Sequence, residues 1–299
     1  MSGVGFYHLD MLVDRGEGPE KRMKLLTMLV AILTGFLPAD AATPPEPATL
    51  MREAFTNQDG FFLQARDYTY LRHQETRRLD SQGRVTSTSS TDHEIAILYG
   101  EPYHKLICKD GRLLSADEAR KEQKKLDNEL AKRAANQDRR RREAEREREE
   151  QRKALAEVAE AFDWKLEAEE AIGGRPMWLM RATPRRGYRP RSRQAKVFTK
   201  MSGRLWIDQA DRRMAKVEAT VDDTISFGLF LLRIQPGFRF TFEMARMETS
   251  AWLPKEGWLK GEARLGGLKT IRLEMENRYS GYQRFQSESH IISSGPAKD

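Results

Sequence analysis

Five arginines, Arg185, Arg186, Arg189, Arg191 and Arg193, fall within nine residues of a segment interrupted by Pro184, Gly187 and Pro190. A guanidinium offers parallel hydrogen bonds to phosphate or carboxylate, so this cluster has the chemistry to meet a lipid headgroup or a membrane surface. Proline and glycine make the segment a loop rather than a helix. An ordinary solvated loop and a protein contact are the other readings. Tyr188 is the lone aromatic there, which is poor support for stacking on bases.

Residues suited to catalysis are sparse. Four of the five histidines lie beyond the N-terminal region, at His73, His93, His104 and His290, and no two stand at a ligand spacing such as His-x-x-x-His. The first three fall on separate strand-like runs, where they could meet in space or simply sit on sheet faces. Asp222 and Asp223 are adjacent carboxylates, but neighbours on a strand point to opposite faces and cannot easily share a proton. The chain has no Gly-x-Ser-x-Gly and no phosphate-binding glycine loop. Cys108 is the only cysteine, which excludes an intrachain disulfide and a multi-cysteine metal site and leaves a small buried apolar side chain as its reading. No enzyme activity, cofactor or metal is expected.

The elements around these residues are mostly strands. Gly203-Arg-Leu-Trp-Ile-Asp208 reads as a strand and residues 208–212 as a turn. Ala215, Val217, Ala219 and Val221 then alternate with Lys216, Glu218 and Thr220. That period of two marks a strand with one wet and one covered face. Phe238, Phe240, Phe242 and Met244 repeat it, as do Ile271, Leu273 and Met275 near the end. Residues 225–234, which include Phe227 and Phe230, are too apolar for a surface loop. They read either as a buried connection or as a mouth element with Gly228 and Gly237 as pivots. An antiparallel sheet with one apolar face suggests a cavity, whose expected lining is Val217, Ala219, Val221, Phe227, Phe230, Phe238, Phe240, Phe242, Ile271 and Leu273.

Earlier in the chain, residues 48–57 can form a short helix, and residues 67–78 and 84–98 read as long strands rich in Tyr, Thr and Ser. Residues 103–109 and 112–114 form a hairpin about Asp110-Gly111. Ser115-Ala-Asp-Glu118 has the spacing of a capping box, and a helical pattern runs from it to residue 161 with 14 Lys/Arg and 13 Asp/Glu. As one helix this stretch would measure about 70 Å; a hairpin turning near residues 135–138 is equally open. Its middle has no apolar residue larger than Ala144 and must stand in solvent, so it reads as a charged insertion or a protein-docking arm. Residues 162–170 and 176–183, then 257–265 and 269–279, supply two further strand pairs.

The 299 residues carry 52 Lys/Arg and 45 Asp/Glu, a net charge of +7. Mixed charge of this kind argues against a dedicated nucleic-acid surface and is compatible with weak attraction to anionic lipid. Lys21, Arg22 and Lys24 precede an apolar run at residues 25–37 and a small-x-small site, the pattern of a secretory signal peptide cut after Ala41. Met23 sits where such a signal would begin, so residues 1–42 read as a signal peptide whose first 22 residues can be an over-extended start. No cysteine follows the run, so a lipid anchor there is not expected. The expected product is an exported, soluble periplasmic monomer with one domain at residues 43–286 and a flexible tail at 287–299.

Several motifs together resemble a known family. Gly203-Arg-Leu-Trp-Ile-Asp208 followed by Lys216-Val-Glu218, then Trp252-Leu-Pro254 and Tyr279-Ser-Gly-Tyr-Gln-Arg-Phe285, resembles the outer-membrane lipoprotein-sorting proteins, the periplasmic LolA/LolB-like group. Tyr99-Gly-Glu-Pro-Tyr103, Ser115-Ala-Asp-Glu118 and Gly187-Tyr-Arg-Pro-Arg-Ser192 are similar to an uncharacterised subgroup of it, and the likeness spans about residues 66–285. The resemblance implies a single half-open antiparallel β-barrel of about eleven strands, mainly β with helices plugging the concave side. It further implies a non-enzymatic carrier whose cavity holds lipoprotein acyl chains or another amphiphilic lipid. The charged insertion departs from the characterised carriers. It keeps open a second reading, an envelope scaffold with a filled barrel that docks a protein partner through residues 115–161.

Overall fold

The computed structural model describes residues 46–56, 65–192, 195–228, 231–266 and 269–284. The elements are helix α1 (Pro47–Thr56), strands β1 (Tyr68–Leu79), β2 (Val85–Leu98), β3 (Glu101–Lys109) and β4 (Arg112–Leu113), and helices α2 (Ala116–Ala135) and α3 (Gln137–Ala161). There follow β5 (Phe162–Ile172), β6 (Arg175–Pro184), a 3-10 helix (Ala195–Lys200), β7 (Met201–Asp208), β8 (Met214–Val221), β9 (Ile225–Phe227), β10 (Leu232–Ile234), β11 (Arg239–Arg246), β12 (Trp252–Leu265) and β13 (Lys269–Arg284). All thirteen strands belong to one antiparallel sheet. Its main path is β4-β3-β2-β1-β13-β12-β11-β8-β7-β6-β5, eleven strands, with β9 and β10 as a side hairpin on β12. The sheet is open: β4 and β5 stand at opposite ends of the path.

Alternation builds the covered face as expected. Leu205, Val217, Phe242 and Gly257 share one cross-strand row, and Gly203, Ala219, Phe240, Leu259 and Met275 share the next. The apolar sides of α1 (Leu50, Met51, Phe55) and of the end of α3 (Leu155, Val158) join the same buried cluster. Close contact demands glycine on this face at Gly203, where a Cβ would lie 2.5 Å from Glu218 O, and at Gly261. A Cβ on Gly261 would lie 2.8 Å from Phe238 Cα, so only glycine lets Phe238 lie flat there.

Strand ends run further than alternation alone marks. β12 begins at Trp252 rather than Gly257, because a bulge at Glu243/Met244 accommodates Pro254, which has no N–H for the ladder. Residues 225–234 are no simple connection. Ile225 pairs with Ile234 and Phe227 with Leu232, and β10 continues onto β12 through Leu232–Leu265.

The charged stretch is two helices meeting at Asn136. Ser115 caps the first, its hydroxyl accepting from Glu118 N while Glu118 accepts from Ser115 N, so the capping box is realised. Together α2 and α3 run from one end of the open sheet to the other, as a strap. Near its start, buried Glu122 accepts from Tyr103 Oη and Leu106 N, both at 3.2 Å. At the joint, buried Arg133 donates to the carbonyls of Leu98, Glu101 and Pro102, and Arg140 pairs with Glu101.

The motifs behind the family resemblance meet in space. Asp208 is fully buried and accepts from Arg175 Nε and Nη2 at 2.5 and 2.8 Å and from the turn N–H groups of Ala210 and Asp211. Asp211 accepts from Arg246 Nε and from the indole of Trp252, at 2.7 and 2.9 Å. Two residues on, Pro254 O accepts from Tyr282 Oη, and Tyr282 stacks among Tyr68 and Tyr70. These residues tie the β7–β8 turn to β6, to the β11–β12 turn and to β13. Their role is architectural.

Candidate functional site

Val217, Ala219, Val221, Phe238, Phe240, Phe242, Ile271 and Leu273 are all less than a tenth exposed and lie in one cluster on the helix-bearing face. Phe227 is partly buried and extends that cluster toward the β9–β10 hairpin. Phe230 lies outside the described residues. The expected lining is therefore contiguous, and the residues covering it are the apolar sides of α1, α3 and the 3-10 helix.

Beside this apolar region, on the same face, lies a buried polar seam that the sequence reading missed. Arg72 registers with Tyr279 on one side and His93 on the other; Gln74 registers with Asn277 and Thr91. Arg72, Gln74 and Asn277 are each 3% exposed or less. Asn277 Oδ1 and Thr91 Oγ1 are buried without a hydrogen-bond partner, and an unmet buried acceptor is costly in a finished core. The parity was there to read: Tyr68, Tyr70, Arg72 and Gln74 share one face of β1, and the first two are buried aromatics.

His93 belongs to this seam. Arg72 Nη2 donates to its Nδ1 at 3.3 Å, which requires the neutral ring, and His104 packs edge-on at 6.3 Å. Burial, and then the charge of Arg72, lower the His93 pKa from 6.5 to about 4, against the opposing pull of Glu122 and Asp92. Between those values the unfolded chain binds a proton that the folded chain refuses. Stability is therefore full above pH 6.5 and falls as pH drops toward 4, by up to about 3 kcal/mol. His93→Asn should flatten this part of the profile. Urea midpoints of both proteins at several pH values check it, and parallel curves would refute the assignment.

Of the arginine cluster, Arg185 pairs with Asp163 at 2.9 Å and donates to Phe162 O, while Arg191 donates to Glu160 at 2.6 Å. Buried Glu157 accepts from Tyr188 Oη at 2.7 Å and from Arg191 N at 2.8 Å. Burial opposes the charge of Glu157, yet the hydrogen bonds from Tyr188, Arg191 N and Ser192 outweigh it and hold its carboxyl below the usual range. The loop is thus a latch on the end of α3. Arg186 and Arg189 are exposed, and Arg193 lies outside the described residues.

Other chemistry-bearing side chains do not assemble. His73, Asp92 and Cys108 form a row on the opposite face, with His73 Nδ1 2.5 Å from Asp92 Oδ1. Desolvation, then contact with Asp92, raises the pKa of the half-buried Cys108, which suppresses the reactive thiolate. So the histidines do meet in part, His93 with His104, while His73 faces the other way. Asp222 accepts from Ser202 and Asp223 pairs with Lys200, on separate partners. Among the described residues no group of His, Cys, Asp and Glu could hold a metal ion.

No protein-family model matches the sequence, and no curated protein matches it. Solved structures do. A LolA superfamily protein from Nitrosomonas europaea is 9% identical, with 81% of this chain and 94% of that one covered and a TM-score of 0.31. A domain described as an outer membrane lipoprotein-sorting protein, from Vibrio parahaemolyticus, is 11% identical, with 82% and 94% covered and a TM-score of 0.32. A DUF1329 family protein from Desulfovibrio piger is 9% identical, with 82% and 95% covered and a TM-score of 0.33. At these identities and TM-scores the likenesses carry no argument about this chain, whose functional reading rests on its own residues.

Proposed function

We propose that this protein is a non-enzymatic carrier that holds the acyl chains of a lipoprotein, or another amphiphilic lipid, against the helix-bearing face of its open sheet. One observation carries this reading: a contiguous apolar region, Val217 to Leu273, adjoins a buried polar seam, Arg72, Gln74 and Asn277, on a single face. An amphiphile has the same division into apolar chain and polar end. Each buried methylene contributes about 0.8 kcal/mol, so a long acyl chain could bring on the order of 10 kcal/mol gross. That gain must exceed the cost of lifting α1 and the end of α3 from the face they cover. The signal-like pattern of residues 23–41 supports a periplasmic location for such a carrier, and no described helix is long and apolar enough to cross a membrane.

The same covering supports a second reading, a scaffold with a permanently filled barrel that docks a partner through its charged helices. Native mass spectrometry with lipid extraction, on protein purified from a bacterial periplasm, separates the two. The carrier reading expects bound lipid or acylated peptide that drops about tenfold or more in Phe240→Asp. Asn277→Leu, which keeps the branched shape and removes the polar end of the seam, serves where Phe240→Asp does not fold. A clean apo mass with no uptake of added fatty acid or lipoprotein would sink the carrier and leave the scaffold.

A further inference from the structure

We infer that the amphiphile held on this face has an uncharged polar end that carries a hydrogen-bond donor, a hydroxyl or an amide N–H, and that Asn277 accepts from it. The inference rests on the carrier reading and narrows it, from any acyl chain to one class of head.

Asn277 stands where polar and apolar surface meet. It is 2% exposed, and its neighbours along the covered face of β13 are Met275 and Tyr279, both buried in the main cluster. It registers with Gly257 on β12, which registers in turn with Phe242 on β11. Gly257 has no side chain, and a Cβ there would lie 3.4 Å from the Phe242 ring. The row thus passes from amide to aromatic ring with only backbone between them. An acyl chain lying on Phe242 brings its polar end over Gly257 to Asn277.

Asn277 Oδ1 is buried and, among the described residues, accepts from no donor. Gln74, its neighbour on the other side, turns its amide along β1, where Nε2 donates to Thr76 Oγ1 at 3.3 Å. Thr91, next in the row, holds a second buried oxygen without a hydrogen-bond partner among the described residues. A carboxamide oxygen can only accept, and an acceptor left unmet in a buried site is costly. What meets it must bring a hydrogen. An ester brings acceptors alone. An ionised carboxylate would suit Arg72 but would leave Asn277 Oδ1 facing another acceptor. An ammonium brings hydrogens together with a positive charge, and two residues from Gln74 on the same face of β1 stands buried Arg72, whose guanidinium donates to His93. Two like charges in so dry a setting repel strongly. A neutral hydroxyl or amide N–H remains. Sites built to bond such a group reject analogues that lack it more firmly than apolar pockets discriminate by size.

Hexadecanol, hexadecanamide and methyl hexadecanoate share a chain length and differ in the head, so they test this directly. Each competes for the lipid-stripped protein against an apolar dye that fluoresces when bound. Expected is displacement by the alcohol and the amide about tenfold or more tighter than by the ester. In Asn277→Leu both should fall to the level of the ester while the ester itself is unchanged, which also shows that the variant has folded. Thr91→Val keeps the β-branched shape and serves where Asn277→Leu does not fold; there the preference should shrink about threefold or more. Equal affinity for all three probes in the parent, or a preference that survives the substitutions in full, would overturn the inference and leave the carrier reading standing. Binding of neither dye nor probes would overturn the carrier reading, and this inference with it.

Discussion

Replacing Asp208 by alanine should cost about 3–5 kcal/mol, as expected when one partner of a buried ion pair is removed. Asp208 is completely buried and accepts four hydrogen bonds, two from Arg175 and two from N–H groups of the following turn. Its loss leaves a half-buried guanidinium without its main counter-charge and two turn donors unmet. Arg175 also reaches Asp211 at 3.3 Å, so the damage should spread to Arg246 and Trp252, which depend on that carboxylate. Equilibrium unfolding in urea measures the effect. A change below about 1 kcal/mol would show that the network is dispensable. A double variant, Asp208→Leu with Arg175→Met, should recover part of the loss, because removing both charges avoids the stranded one.

The second large effect is expected at the joint of the strap. Arg133 is 6% exposed and satisfies the carbonyls of Leu98, Glu101 and Pro102 at 3.0, 2.9 and 3.3 Å, while its Nε donates to Glu129. Arg133→Met keeps the apolar stem and strands three acceptors, at about 3 kcal/mol in total. Hydrogen exchange locates the change: amides of α2 and of the first turns of α3 should lose protection while those of β6, β7 and β8 keep theirs. Arg133→Lys should rescue little, since one ammonium cannot serve the fork that a guanidinium offers. Unchanged protection in α2 would mean that the helices are held elsewhere. Deleting the middle of the strap is a harsher experiment, because α2 and α3 join the two ends of the sheet.

Much of this arrangement was legible because period-two runs are unambiguous when one face is wholly apolar. Val217 to Val221, Phe238 to Met244 and Ile271 to Met275 all lie on the covered face. The capping box at Ser115 was legible because two side chains at fixed spacing satisfy each other locally. What was hidden depends on partners far away in the chain. Arg72 and Gln74 look like solvent-facing strand residues until β13 and β2 flank them. Tyr188 and Arg191 give no sign of a latch, because Glu157 sits on a helix 31 and 34 residues earlier. The break at Asn136 carries neither glycine nor proline, and it is fixed by contacts of Arg133 and Arg140 with the β2–β3 turn. The β9–β10 hairpin escaped because three-residue strands are too short to show a period.

The order of strands has a consequence for how the chain is made. β1 and β13, the first and last strands, pair along almost their whole length at the centre of the sheet, with Arg77 and Glu274 joined across 197 positions of sequence. Closing so long a loop costs entropy before any contact rewards it, and pairings this remote slow folding. A growing chain can build β5 to β8 and β11 to β12 by local hairpins, but the seam holding Arg72, Gln74 and Asn277 cannot exist until β13 has been synthesised. Until then β1 presents an unpaired edge, open to the wrong partner. The sheet therefore cannot be completed until the last strand has been made, and the halves on either side of β1 and β13 must wait for each other.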